Sequence, residues 1–185
     1  MNRSLRSPSA LCALVLAGFA LPARAQITEA WSQTDSTFSA GGFQVDASGR
    51  SVVTGVSVTP SQAFLMLRDA SGATTWSRTF DLGTATDETF GAARFAASGD
   101  FLIAGSVARA PSAPFSYHAL LARYDATGNL LWWHTTPTQV PPGYEQPGPI
   151  IEAQNGDILC AGSAAGPTSE DFAVWRWDAQ GNLLW

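Results

Sequence analysis

Lysine is missing from this chain, and its ten basic side chains are all arginine, set against fifteen acids for a net charge of −5. Such a balance argues against partners held by a basic surface, namely nucleic acid and anionic membranes. Nothing in the sequence gives a physical reason for the missing lysine. Cysteine is nearly absent too, with Cys12 and Cys160 alone. Cys12 falls in an N-terminal segment expected to be removed, which leaves Cys160 without an intrachain disulfide partner even in an oxidising compartment. The two histidines, His118 and His134, do not form the paired spacing of a metal site. Beyond Leu21 no apolar run approaches the roughly 20 residues that a spanning helix needs, so no membrane span is expected.

The N-terminus carries a compartment signal. Arg3 and Arg6 precede an apolar run from Ala10 to Leu21, and Ala23-Arg24-Ala25 supplies a small-x-small cleavage pattern before Gln26. Residues 1–25 are therefore expected to be a signal peptide. Cys12 opens the apolar run rather than following the cleavage site, which argues against a lipid anchor. The remaining chain has seven arginines and fifteen acids, a net charge of −8, and is expected outside the cytoplasm, periplasmic or secreted.

What is present in abundance is repetition. The segment Asp69-Ala70-Ser71-Gly72-Ala73-Thr74-Thr75-Trp76 returns as Asp125-Ala126-Thr127-Gly128-Asn129-Leu130-Leu131-Trp132 and again as Asp178-Ala179-Gln180-Gly181-Asn182-Leu183-Leu184-Trp185. A second element repeats with it: Gly49 to Gly55, Gly99 to Gly105 and Gly156 to Gly162 each enclose a short apolar run. The period, a little above 50 residues, is just longer than that of a four-stranded propeller blade.

Each period reads as four short strands. The first lies near Gly42 to Val45, Gly91 to Phe95 and Pro149 to Glu152. The second is the apolar run Ser51 to Thr54, Phe101 to Ala104 or Ile158 to Ala161, whose continuous apolarity suits a strand covered on both faces. The third is Ala63 to Arg68, Ala119 to Tyr124 or Phe172 to Trp177, and the fourth starts with the tryptophan. Glycine and turn residues at intervals of eight to twelve residues or so argue against helix. The expected fold is all-β, a β-propeller-type array of four-stranded antiparallel blades with tryptophans filling the space between neighbours. A stacked β-solenoid is the competing architecture, disfavoured by its usually shorter repeats.

The expected organisation is blade 1 over 36–80, blade 2 over 81–135 and blade 3 over 136–185. Trp31-Ser32-Gln33-Thr34 matches Trp76-Ser77-Arg78-Thr79, so 27–35 reads as an orphan outer strand. About three blades fall short of the 4 to 8 that closure takes. A fragment of a longer protein, or an open array needing a partner, is the expectation.

The segments NGDILCAGS and DFAVWRWDAQGNLLW, with their counterparts, resemble the repeats of bacterial exported propellers known as SBBP repeats and the related delta-sixty repeats. That resemblance implies a propeller in an extracytoplasmic setting and no shared catalytic residues. Tyr124 to Trp132 also resembles the tryptophan-docking repeat of quinoprotein propellers, with one residue fewer between Asp and Thr-Gly. Asp69 to Trp76 resembles the Asp-box of sialidase propellers, with gaps one residue too long around Gly72. In both, Asp and Gly are read as serving the turn and Trp the interface between units.

Chemistry-bearing constellations are scarce. Cys160 occupies the slot of Val53 and Ile103 and reads as a small hydrophobe. The pairs Asp87-Glu88 and Glu170-Asp171 offer too few of the six to eight or so oxygens that calcium takes, and read as solvated loop charge. No metal site, catalytic residue or cofactor is expected. The function expected is a binding or scaffold module for an unknown protein or carbohydrate; a quinoprotein-like or glycosidase-like enzyme is the alternative. In a meander the longer connections share one face, and loops on a rigid scaffold concentrate binding residues. Phe115, Tyr117 and Tyr144 are the candidate ligand-binding residues there.

Overall fold

The computed structural model describes residues 36, 38–57, 62–83, 86–109, 116–137, 143–165 and 169–185. The chain falls into two compact units, Met1–Ala30 and Trp31–Trp185, and every described residue belongs to the second. The expected signal peptide and orphan strand, 27–35, lie outside the described residues.

The described residues form eleven strands and no helix: β1 (Phe38–Val45), β2 (Ser51–Ser57), β3 (Ala63–Arg68), β4 (Thr74–Phe80), β5 (Thr86–Phe95), β6 (Phe101–Arg109), β7 (Tyr117–Tyr124), β8 (Leu130–Thr135), β9 (Tyr144–Glu152), β10 (Ile158–Ala165) and β11 (Glu170–Trp177). The all-β class holds. The expected propeller of separate four-stranded blades does not. Strands β1 to β4 make a four-stranded sheet, but β5 to β11 run together as one seven-stranded sheet, and neither sheet closes or curls. The join explains the difference. Tyr117 pairs in parallel with Tyr144, and the Tyr117 N–H donates to the Gly143 carbonyl at 2.9 Å, so the second and third meanders share hydrogen bonding across β7 and β9. A turn pattern fixes each meander locally and carries no information about that edge.

Within each meander the turns are built alike. The Gly128 N–H donates to the Asp125 carbonyl at 3.0 Å and the Asp125 N–H to the Asn129 carbonyl at 2.9 Å, with Gly128 at φ 84°, where a side chain would be strained. Asp125 Oδ1 accepts the Thr127 and Asn129 backbone N–H groups at 2.8 and 2.9 Å. The same Asp-led turn recurs at Asp46, Asp69 and Asp178. Where alanine leads the turn, at Ala96 and Ala153, the acid moves to its end and grips an arginine of the third strand: Asp100 binds Arg123 at 2.8 Å and Asp157 binds Arg176.

These hydrogen bonds set a pH limit. The Ser48 hydroxyl, with Arg50, holds the Asp46 carboxyl down at about 2. The Asn129 backbone, the Thr127 hydroxyl and the Asn129 amide hold Asp125 well below the usual range. Unfolded aspartates titrate near 3.9. A depressed folded value means that this contribution is complete above about pH 5, clear of the unfolded value, and is lost as pH falls through the folded values. Thermal unfolding followed by circular dichroism should give a flat Tm above about pH 5 and a fall from about pH 4 towards 2. Asp125→Asn, which keeps an acceptor oxygen, should make that fall shallower.

Packing follows the period. Every second strand has its glycine opposite a bulge in the first: Gly55 pairs with Ala40, Gly105 with Phe90 and Gly162 with Pro147, each beside a register shift. A Cβ at Gly55, Gly105 or Gly162 would lie 1.9, 1.8 or 2.1 Å from a carbonyl oxygen of that first strand. These three glycines therefore answer close backbone approach. Two apolar clusters fill the molecule. One joins Val52, Leu65 and Phe80 of the first meander to Phe90, Phe101 and Leu120 of the second. The other joins Leu102 and Leu121 of the second to Ile150, Ile158 and Trp177 of the third.

Two of the three repeated tryptophans, Trp76 and Trp132, lie where the sequence reading placed them, at contacts between meanders, but are half-buried, and the third, Trp185, is exposed. Trp76 lies over Gly128 of the next meander, where a Cβ would fall 2.9 Å from its ring, and Trp132 lies over Gly181 in the same way at 2.7 Å. The Trp76 indole N–H donates to the Ala126 carbonyl at 3.3 Å, and Arg78 Nε donates to the Gly128 carbonyl at 2.9 Å. Glycine at the turn thus gives room for the ring as well as the positive φ.

Candidate functional site

Of the three candidate binding residues, Phe115 lies outside the described residues. Tyr117 and Tyr144 are brought together, and not on loops as expected: they open β7 and β9. The strands run further than their apolar cores, because β9 continues through Pro147 and Pro149 at a bulged edge where a proline without an N–H is tolerated. The two rings meet edge to face, centroids 5.1 Å apart and planes at 64°, and both are half-buried. The Tyr144 hydroxyl lies 3.2 Å from Gln146 Oε1, to which it donates. Two strand ends thus present an edge-to-face aromatic pair.

Glu145 fixes that pair from below. It is 4% exposed, and its Oε2 accepts the Ala119 N–H at 2.9 Å and the Thr136 hydroxyl in a short bond. These two bonds tie β9 to the two ends of the β7–β8 hairpin, so Tyr144 and Tyr117 are set in register. Glu88 does the corresponding work one meander earlier: 1% exposed, its Oε1 accepts the Leu82 N–H at 3.1 Å. Reading Asp87-Glu88 as solvated loop charge is therefore corrected for Glu88, which lies in β5 and is buried, whereas Glu170 and Asp171 are exposed at the start of β11. The signal missed was periodic. Glu88 and Glu145 each stand two residues before the partner of the second-strand glycine, Phe90 and Pro147.

His118, next to Tyr117, is buried with Nδ1 lacking a hydrogen-bond partner, as is the Ser116 hydroxyl. Cys160 is 1% exposed and burial pushes its thiol up to about 12, which makes it a core hydrophobe rather than a nucleophile. Among the described residues no three His, Cys, Asp or Glu side chains gather as a metal site. No helix among them is long and apolar enough to cross a membrane.

No family model matches the chain, and no curated protein matches it. Among solved structures, a protein of unknown function from Bacteroides caccae is similar over 82% of each chain, at 9% identity and a TM-score of 0.34. At that TM-score the likeness supports neither fold nor function, and the resemblance to exported propeller repeats rests on the quoted residues alone.

Proposed function

We propose that this chain is an exported binding or scaffold module, in which repeated antiparallel meanders hold a recognition face bearing Tyr117 and Tyr144 for a protein or carbohydrate partner. The observation that carries this reading is the edge-to-face tyrosine pair locked at two strand ends by the buried Glu145. Aromatic side chains fixed on a rigid frame supply contact area at small entropic cost, and tyrosine is enriched among the residues that dominate binding energy.

Screening the whole chain against arrayed oligosaccharides and extracellular proteins, followed by surface plasmon resonance on the best binder, tests the reading. Replacing Tyr117 and Tyr144 together by alanine should weaken that binder roughly 30-fold, the scale of a lost hot spot of about 2 kcal/mol. Thr127→Ala, in the turn at the other end of β7, should leave affinity unchanged. Loss of binding in Thr127→Ala with none in the tyrosine variant would place recognition on the opposite face and refute the proposal.

A further inference from the structure

The edges of three first strands border a cavity of about 310 Å³, lined among others by Phe43 of β1, Gly91 and Arg94 of β5, and Gly148, Pro149 and Ile150 of β9. Strands β1 and β5 are the outermost strands of their sheets, and β9 is bridged to β7 only at Tyr144. Each edge also carries the bulge described above, so backbone groups beside the cavity are left without ladder partners.

Arg94 is the one charged residue among the described residues lining it. The other guanidiniums among the described side chains are better satisfied: Arg50, Arg123 and Arg176 are held by carboxylates, Arg68 by the Gly72 carbonyl, and Arg78 by the Gly128, Ser77 and Thr127 carbonyls. Arg94 has a 3.4 Å bond from Nη1 to the Ile150 carbonyl, and its Nε is buried without a partner. A buried unpaired donor on a charged group is costly, so the fork gains by meeting an acceptor.

We propose that this cavity binds a small molecule bearing one carboxylate on an apolar body, with Arg94 taking the carboxylate. The planar guanidinium fork matches two coplanar oxygens, and one positive charge balances one negative charge. Phe43, Pro149 and Ile150 give the apolar body a surface, and the volume sits at the small end of the range for ligand pockets. Exchanging the long Ile150 bond for a carboxylate lets the fork turn and bring Nε to an oxygen. This site stands apart from the tyrosine face, further along β9.

Titration of the whole ¹⁵N-labelled chain with benzoate, followed by amide and arginine Nε–H resonances, reads the site directly. Benzoate should move Gly91, Ala92, Arg94 and Gly148 saturably, and benzyl alcohol, which lacks the charge, should not. Arg94→Lys should weaken benzoate roughly tenfold, the scale of losing one charge-assisted hydrogen bond. Arg94→Gln should abolish binding while the rest of the amide spectrum stays dispersed; if that variant does not fold, the lysine variant decides. Absence of saturation, equal response to benzyl alcohol, tighter binding of inorganic phosphate, or unchanged affinity in Arg94→Lys would each overturn the proposal. Shifts at Tyr117 and Tyr144 alone would do the same.

Discussion

Trp177→Ala is expected to remove about 3–5 kcal/mol from the unfolding free energy, the range for truncating a large buried aromatic. Trp177 is 0% exposed and is the largest fully buried side chain among the described residues, packed in the cluster that joins the second and third meanders. Alanine there loses the transfer energy of the indole and leaves a cavity on both sides of that contact. Trp132 belongs to the repeat motif but is only half-buried, so Trp132→Ala should cost less, about 2 kcal/mol. Trp177→Phe is the informative intermediate. The indole N–H of Trp177 has no hydrogen-bond partner, so phenylalanine sheds an orphaned donor while keeping most of the ring. Chemical denaturation of the whole chain at constant slope should rank the losses Trp177→Ala, then Trp132→Ala, then Trp177→Phe. Equal losses for the two alanine variants would mean that burial does not set the scale.

Gly105→Ala should cost about 3 kcal/mol, the upper part of the usual range for overpacking. The added methyl would stand 1.8 Å from the Thr89 carbonyl oxygen and 3.0 Å from the Phe90 Cα. Both are backbone, so no rotamer change relieves the clash; β5 would have to leave its pairing. Gly99→Ala is the control. Gly99 sits at φ 90°, but a Cβ there meets nothing within 4 Å, and its cost is the conformational one of about 1–2 kcal/mol for an L-residue in the left-handed region. The comparison separates two reasons for glycine that look identical in sequence, the first and last members of the same six-residue step. A larger loss at Gly99 than at Gly105, measured by thermal unfolding, would contradict the bulge as the cause.

The meander was legible because its signals are local. The Asp-led turns, the continuous apolar strands and the glycine steps each act within a few residues, and Ala63–Arg68 was delimited to the residue. Strand ends were not legible, because the outer parts of β5 and β9 carry polar and proline residues that only register with a partner makes strand-like. That displaced Tyr117 and Tyr144 from the loops where they were expected, though their shared neighbourhood was anticipated. The propeller failed on a non-local fact: a single parallel pair at Tyr117 and Tyr144 merges two meanders into one sheet. The buried glutamates were missed because charge in a single copy reads as exposure, and only comparing copies gives Glu88 and Glu145 a common position. Arg94 had no sequence signal, since its one hydrogen-bond partner, the Ile150 carbonyl, lies on another meander.

The seating of Trp76 on the turn of the following meander has a temporal side. The carbonyl that receives its indole N–H, that of Ala126, is made 50 residues later. A chain that emerges N-terminus first, from ribosome or translocation channel, leaves the ring without its seat until those 50 residues have followed. The first meander therefore completes its own hairpins early and its outward contact late, and the second, with Trp132 over Gly181, does the same. A pause in that emergence, placed between the two, would lengthen the time for which that indole and its neighbouring strand edge are open to a chaperone or to another emerging chain.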